Sequence, residues 1–258
     1  MPSQLPIPNG NGPAWALFLD VDGTLLNLAE HPDAVTVPEG LASLLNRLKT
    51  SLHGALALIS GRSLASLDTL LGDAGLDGAG CHGAELRISG KKHVAAVSDD
   101  ILPFVANRLT AMADAIPLTM VELKPHTIAF HYRPPILDSV AARRVALEAI
   151  GGEEKRLRLL DGKQVVEILP CDVGKGVAIA TFLRNAPYHG RLPVFVGDDV
   201  TDEEGFDEVN NRGGISIRVG KTGPSKAVYH AASVAVVLSW LAGPVCNSLG
   251  CNSARGAP

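Results

Sequence analysis

Leu17-Phe18-Leu19-Asp20-Val21-Asp22-Gly23-Thr24-Leu25-Leu26 is the stretch on which the reading of this chain turns. Trp15 to Leu19 is an apolar run of large side chains, the pattern of a buried strand. Two carboxylates follow two residues apart where that strand should end, and Gly23 then lets the backbone leave sharply. If Asp20 and Asp22 both continued the strand, they would share one face. Like charges that close are costly without a cation or a shared proton. A divalent metal at the carboxyl end of a parallel strand resolves the conflict. Asp in a plain turn is the alternative for an isolated D-x-D. The apolar strand before it and the Gly-Thr-Leu-Leu exit after it favour the metal.

Outward from this stretch, residues 27–37 read as a loop and Pro38-Glu39 opens a helix carrying Leu41, Leu44, Leu45 and Leu48 at helical spacing. A second buried strand, residues 55–59, stops at Ser60-Gly61-Arg62, and a helix follows over about 63–71. Residues 78–81 read as a third strand with a Gly-rich exit, and 86–97 as a hairpin turning at Ser89-Gly90. Strand alternating with helix is the signature of an α/β fold with a parallel sheet, whose ligands bind beyond the carboxyl ends of the strands.

From about residue 98 the pattern changes. A helix (99–116), strands (118–124 and 127–133), a helix (138–150) and strands (156–160 and 165–169) follow, with Asp161-Gly162 as a hairpin signal. This α-β-β-α-β-β order reads as a small inserted α+β cap. Alternation resumes with a helix from Lys175 to Leu183, a strand (193–197) ending at Asp198-Asp199, a helix (201–209) and a strand (214–219). The last segments read as helix (225–231), strand (233–237) and closing helix (238–241). The expected organisation is a discontinuous core over 13–97 and 172–243, a cap over 98–171, and flexible tails at 1–12 and 244–258.

With 258 residues, 46% of them hydrophobic, the chain can bury a sizeable core. A net charge of −4 argues against a nucleic-acid partner bound through a general basic surface. Cys81, Cys171, Cys246 and Cys251 have no metal-ligand spacing and read as reduced thiols, with Cys246 and Cys251 in reach of an adventitious disulfide. Residues 1–13 lack the basic-then-apolar pattern of a signal peptide, and no apolar run approaches bilayer length. The expectation is a cytoplasmic protein with no membrane partner.

Asp20/Asp22, Ser60, Lys175 and Asp198/Asp199/Asp202 all fall at or near strand or helix ends. Hydrolysis of a phosphate monoester needs a nucleophile, a proton donor for the leaving oxygen, neutralisation of phosphoryl charge, and orientation. This set supplies all four. Asp-rich and His-poor, it suits Mg²⁺ better than Zn²⁺. Singly each signal has a plain reading: Lys175 as a solvated lysine at a helix start, Asp198-Asp199 as an acidic pair at a helix N-terminus. Their joint order on an α/β pattern points to chemistry.

The D-x-D-G-T run, Ile-Ser60-Gly-Arg, Gly-Lys175-Gly and Gly-Asp198-Asp-Val-Thr-Asp202 together resemble the haloacid dehalogenase superfamily. Gly80-Cys-His82-Gly83-Ala-Glu85, Val121-Glu122-Leu-Lys124, Phe130-His131-Tyr-Arg133 and Val166-Glu167-Ile-Leu-Pro170 narrow the resemblance to the trehalose-6-phosphate phosphatase family. It implies a Rossmann-like parallel-sheet core with an inserted cap. It also implies Asp20 as nucleophile and metal ligand, and Asp22 as general acid/base with its backbone carbonyl on the metal. Ser60 matches the phosphate-binding hydroxyl, Lys175 the lysine that steadies phosphate and nucleophile, and Asp198 a metal ligand supported by Asp199 and Asp202. Gly61, Arg62, His82, Gly83 and Glu85 match substrate-binding positions, and Glu122, Lys124, His131 and Glu167 face the sugar. Charges alternating with apolar residues are equally what a solvated sheet face shows.

The implied activity is Mg²⁺-dependent hydrolysis of trehalose 6-phosphate through an aspartyl-phosphate, the last step of trehalose biosynthesis, coupled to a trehalose-phosphate synthase. Sucrose phosphate or mannosyl-phosphoglycerate are alternative substrates, and a non-catalytic sugar-phosphate-binding module or regulatory partner of a synthase is the alternative class. One departure is Asp172, which stands where the family's Pro-x-Gly-x-x-Lys-Gly carries Gly. Asp tolerates left-handed backbone, which would let that turn survive.

Overall fold

Every residue from Trp15 to Leu19 is buried, as an apolar strand covered on both faces requires. In a computed structural model of the chain the described residues are 4–10, 12–28, 35–72, 75–94, 101–162, 164–220 and 222–251. In chain order the elements are β1 (Trp15–Leu19), α1 (Leu41–Ser51), β2 (Leu56–Ile59), α2 (Leu64–Leu71), β3 (Asp77–Gly80), β4 (Glu85–Ile88), β5 (Lys91–Val94), α3 (Ile101–Ala113), β6 (Met120–Leu123) and β7 (Ile128–His131). They continue as α4 (Ser139–Ile150), β8 (Leu157–Gly162), β9 (Val165–Pro170), α5 (Lys175–Leu183), β10 (Leu192–Gly197), α6 (Glu203–Asn211), β11 (Ile215–Val219), β12 (Tyr229–Ala231) and α7 (Val234–Trp240). The chain divides into two compact units, residues 1–93 with 175–258, and residues 94–174.

The first unit is built on a sheet of order β12-β11-β10-β1-β2-β3-β4-β5. Its strands from β12 to β3 are parallel, and β4 joins β3 antiparallel. The chain runs outward from β1 to β2 and β3 on one side, then returns to β10, β11 and β12 on the other. The order therefore reverses beside β1, and a doubly wound sheet binds its ligands at that point. Leu19 lies level with Leu58 of β2 and Val196 of β10, so Asp20, Ser60 and Asp198 leave neighbouring strand ends together.

Local chemistry sets the helix ends. Ser63 Oγ accepts the Ser66 N–H at the start of α2, and left-handed Gly72 closes it. Pro38 and Glu39 precede α1 instead of opening it, because Gly40 at φ +78° turns the chain just before Leu41. The β4–β5 turn is a two-residue hairpin with Ser89 and Gly90 both left-handed, matching the strand twist. Residues 95–97 of the expected hairpin, 99–100 of the expected helix and 29–34 of the expected loop lie outside the described residues.

The second unit has the α-β-β-α-β-β order and an antiparallel sheet β6-β7-β9-β8. Ile128, Phe130, Val166 and Ile168 face α3 and α4 in its core. Asp161 and Gly162 do not form the hairpin turn. They pair with Val166 and Val165 in the ladder, and the turn falls after them, with Gln164 at φ +59°.

The carboxyl-terminal reading is corrected. Residues 225–228 are irregular, Tyr229–Ala231 is a parallel edge strand, and the expected strand at 233–237 is helical. A short Val-rich run is ambiguous by period. Here the Ser233 cap and the buried Val234, Val237 and Trp240 at helical spacing decide it. The expected tails also pack. Trp240 Nε1 donates to the Pro6 carbonyl at 2.9 Å, Ser248 Oγ donates to the Pro8 carbonyl, and Leu5, Cys246 and Leu249 join the core. Residues 252–258 lie outside the described part. The four cysteines are free thiols, and no helix among the described residues is long and apolar enough to cross a membrane.

Tyr188 anchors the core against β2. Its ring stacks on Phe18 at 5.6 Å and packs at 4.9 Å on Phe182, and its hydroxyl lies 2.9 Å from Asp77 Oδ2 and 3.0 Å from the Leu56 carbonyl oxygen. Burial holds the phenol above its ordinary pKa, so it stays a donor. Tyr188→Phe removes the donor facing a buried carboxylate and should cost about 1–3 kcal/mol. Urea unfolding should show a lower midpoint at an unchanged slope. An unchanged midpoint would show that Asp77 is satisfied without Tyr188.

Candidate active site

The end of β1 delivers Asp20 into a buried position, with its N–H donating to the Val196 carbonyl of β10 at 2.9 Å. Lys175, the first residue of α5, is also buried, contrary to the solvated-lysine reading. Its Nζ lies 2.9 Å from Asp20 Oδ1 and 2.6 Å from Asp202 Oδ1. The other Asp202 oxygen accepts the N–H groups of Asp198 and Asp199, each at 2.9 Å. Asp199 accepts the Asp202 N–H in return, a reciprocal cap that fixes the loop after β10.

Two glycines make room for these carboxylates. A Cβ at Gly197 would lie 2.4 Å from Asp202 Cγ, and one at Gly23 would lie 2.0 Å from Asp198 Oδ2. One carboxylate oxygen each from Asp20, Asp198 and Asp202 lies within 4.8 Å of the others. A single ammonium does not neutralise three carboxylates. Burial pushes the Asp20 carboxyl up to about 7, with Lys175 pulling it down and Asp202 pushing it further up. Burial likewise lifts Asp198 to about 8, reinforced by Asp20, Asp202 and Asp199. Burial works against the Lys175 charge, but Asp20 and Asp202 outweigh it and hold its pKa above the ordinary range. Asp20 Oδ2 is buried with no hydrogen-bond partner. An unbonded carboxylate oxygen amid excess negative charge, with only hard oxygen donors around it, suits a hard divalent cation.

A second group adjoins β2. Arg62 grips Asp22 with two bonds, Nε to Oδ2 and Nη2 to Oδ1, each at 2.7 Å. Ser60 is buried, and its hydroxyl accepts the Arg62 N–H at 3.1 Å. Past β3 the chain takes three consecutive left-handed residues, Cys81 (φ +48°), His82 (φ +57°) and Gly83 (φ +107°). For each of the two that carry a Cβ this costs roughly 1–2 kcal/mol. Cys81 N–H donates to the Arg62 carbonyl at 2.9 Å and His82 N–H to the Ser60 carbonyl at 3.0 Å. Glu85 Oε2 accepts the Leu64 N–H at the start of α2.

The sugar-facing candidates sit on the second unit. Glu122 and Glu167 flank Ala129 in the β6-β7-β9 register, so they share a face, with His131 two residues along. Lys124 pairs with Glu167 at 2.8 Å and His131 with Glu122 at 3.1 Å. Asp172 is exposed and is absent from the left-handed residues, so the position where the family carries Gly makes no demand for one. Two features escaped the reading by sequence: Asp202 stands inside the acidic cluster, not behind it, and Gly23 and Gly197 are there for carboxylate clearance. The four-residue step from Asp198 to Asp202, one helical turn, was the available signal for the first.

An acidic cluster bridged by a buried lysine, at the strand ends of a mostly parallel sheet, defines a phosphatase of the haloacid dehalogenase type. Solved structures share this fold. A phosphatase of that superfamily from Bacteroides thetaiotaomicron superposes with a TM-score of 0.65 at 16% identity, covering 97% of this chain and all of its own. The carboxy-terminal domain of Candida albicans trehalose-6-phosphate phosphatase superposes with a TM-score of 0.73 at 21% identity, covering 93% of each chain. A model of the trehalose-phosphatase family matches residues 18–236. The trehalose-6-phosphate phosphatase of Escherichia coli K12 is 42% identical over 228 residues, 88% of this chain and 85% of its own length. The chain belongs to the trehalose-phosphatase family.

The raised carboxyls have a consequence for stability. An unfolded Asp titrates near 3.8, whereas Asp20 and Asp198 hold protons to about 7 and 8. Between those limits the native state binds more protons than the unfolded chain, so metal-free stability falls as pH rises through the window. A divalent cation should replace those protons. The gain in melting temperature from added Mg²⁺ over EDTA should therefore be larger at pH 8.5 than at pH 6. An equal gain at both would show that cation and protons do not compete for these carboxyls.

Proposed function

We propose that this protein is a cytoplasmic, Mg²⁺-dependent phosphatase that hydrolyses trehalose 6-phosphate to trehalose and phosphate through a phospho-Asp20 intermediate. It would act as the last step of trehalose biosynthesis, after a trehalose-phosphate synthase. The observation that carries this reading is the Asp20 carboxylate: Lys175 holds one oxygen, and the other is buried without a hydrogen bond beside Asp198 and Asp202.

An Asp20 carboxylate oxygen attacks phosphorus, and the bond from phosphorus to the sugar oxygen breaks. Asp22, released from Arg62 and protonated from solvent, gives that proton to the departing sugar oxygen. Water then attacks the phospho-Asp20 phosphorus, Asp22 takes a proton from it, and phosphate leaves as Asp20 is regenerated. Lys175, the Ser60 hydroxyl and the Gly61-Arg62 segment bind the phosphoryl oxygens, while Gly83 and Glu85 shape the wall beside them. Asp20, Asp198 and Asp202, with the Asp22 carbonyl and Asp199 in support, would hold a Mg²⁺ that neutralises phosphoryl charge.

Residues 98–171 act as the cap in this reading. Glu122, Lys124, His131 and Glu167 bind sugar hydroxyls, and carboxylates and amines matched to hydroxyl pairs reject sugars that lack them. The similarity to the Escherichia coli trehalose-6-phosphate phosphatase supports this substrate over sucrose phosphate or mannosyl-phosphoglycerate.

Phosphate release from trehalose 6-phosphate should require Mg²⁺, stop with EDTA, and exceed release from glucose 6-phosphate and sucrose 6-phosphate. Asp20→Asn should lower kcat by about 10⁴-fold or more while leaving the melting temperature near that of the parent. Release from another ester only would retain the Asp20 chemistry and overturn the sugar assignment. No release from any ester by folded protein would favour the binding-module alternative.

A further inference from the structure

We propose that His82 is a positioning residue for phosphoryl transfer, whose imidazole fills the space above Gly61 and so fixes the Ser60–Arg62 segment. The inference rests on the phosphate-binding role given to that segment above. It departs from the substrate-binding role that the family resemblance implies for His82.

Gly61 does not have a left-handed φ, so its backbone makes no demand for glycine. What excludes a side chain is the ring of His82. A Cβ at Gly61 would lie 2.8 Å from both Cε1 and Nε2 of that ring. His82 is only 9% exposed, so it faces protein far more than solvent. Glycine at 61 lets the ring approach, and the ring in turn confines the residue type with the greatest backbone freedom.

The left-handed run at 81–83 serves the same contact. Cys and His gain nothing from that conformation. It nevertheless aims two successive N–H groups at the neighbouring strand end, Cys81 to the Arg62 carbonyl and His82 to the Ser60 carbonyl. Residues on both sides of Gly61 are thus stapled through their carbonyls, and Gly61 itself is covered by the ring. Strained backbone that persists beside a reacting centre is typically held there for positioning. Arg62 then reaches Asp22, and the Ser60 hydroxyl takes the Arg62 N–H. Loss of the ring would loosen the segment that carries all of these groups without removing any of them.

The test compares the parent protein with Gly61→Ala, His82→Ala, the double variant and His82→Asn, by kcat, KM for trehalose 6-phosphate and melting temperature. Gly61→Ala should lower kcat about 100-fold, because the added methyl collides with the ring and displaces the segment. His82→Ala should lower kcat about tenfold with KM little changed. The double variant should recover at least tenfold over Gly61→Ala, since the methyl then occupies the vacated space. His82→Asn tolerates left-handed backbone but lacks the ring, so it should behave like His82→Ala. A double variant no better than Gly61→Ala would overturn the proposal. So would a His82→Ala that raises KM at unchanged kcat, or a His82→Asn that matches the parent. If the parent itself does not hydrolyse trehalose 6-phosphate, the substrate reading fails, but the melting temperatures still decide. The penalty of Gly61→Ala should shrink in the His82→Ala background, and additive penalties would overturn the pairing. Should Gly61→Ala not fold, a folded double variant supports the pairing and an unfolded one overturns it.

Discussion

The ammonium of Lys175, buried between Asp20 and Asp202, is the contact on which the catalytic end of the sheet depends. Removing Lys175 would leave buried carboxylates without the ammonium they share, which is far costlier than the pairing is stabilising. The two carboxylates come from opposite halves of the sequence, one at the end of β1 and one at the start of α6. Lys175 opens α5, which lies between them in the chain. One ion therefore ties together the three segments that meet at the switch in strand order. It also leaves one Asp20 oxygen without a hydrogen bond. The residual negative charge is the physical reason the site calls for a divalent ion.

Around that contact, clearance matters as much as charge. Gly23, Gly61 and Gly197 each admit a particular side chain: Asp198, His82 and Asp202. Gly23 has a left-handed φ in addition, whereas Gly61 and Gly197 are small for their neighbours alone. Close approach of this kind lets a cluster of acids occupy the narrow ends of adjacent strands. It also makes the site intolerant of even a methyl group, because the atoms met are a functional carboxylate or a packed ring.

Much of the fold was legible in the chain. Uniformly apolar runs at β1, β2 and β10, each ending at polar or glycine residues, read as strands buried on both faces, and Ser63 and Gly72 bracket α2 as caps do. The order of D-x-D, Ser60, Lys175 and Asp198 was equally readable, since each follows or opens an element with a clear period. The misreadings fall where local signals compete. Val234 to Leu238 has the composition of a strand, and only burial of Val234, Val237 and Trp240 makes it a helix. Asp161-Gly162 is a strong turn signal that cross-strand pairing overrides. The carboxy-terminal segment looked like a tail because its Gly, Ser and Asn content hides Cys246 and Leu249, which the core takes up.

By itself the sequence determined the α/β class, the strand ends at which chemistry had to sit, and the residue types available there. These follow from periodicity and from the cost of placing charge in an apolar run, both local properties. Only the tertiary structure decided which acids share a space. Asp202 enters the cluster while Asp22 turns to Arg62, and Lys175 is buried rather than solvated. Those outcomes depend on which strands lie side by side and on how closely their backbones approach. Spacing along a chain does not encode a distance across a sheet.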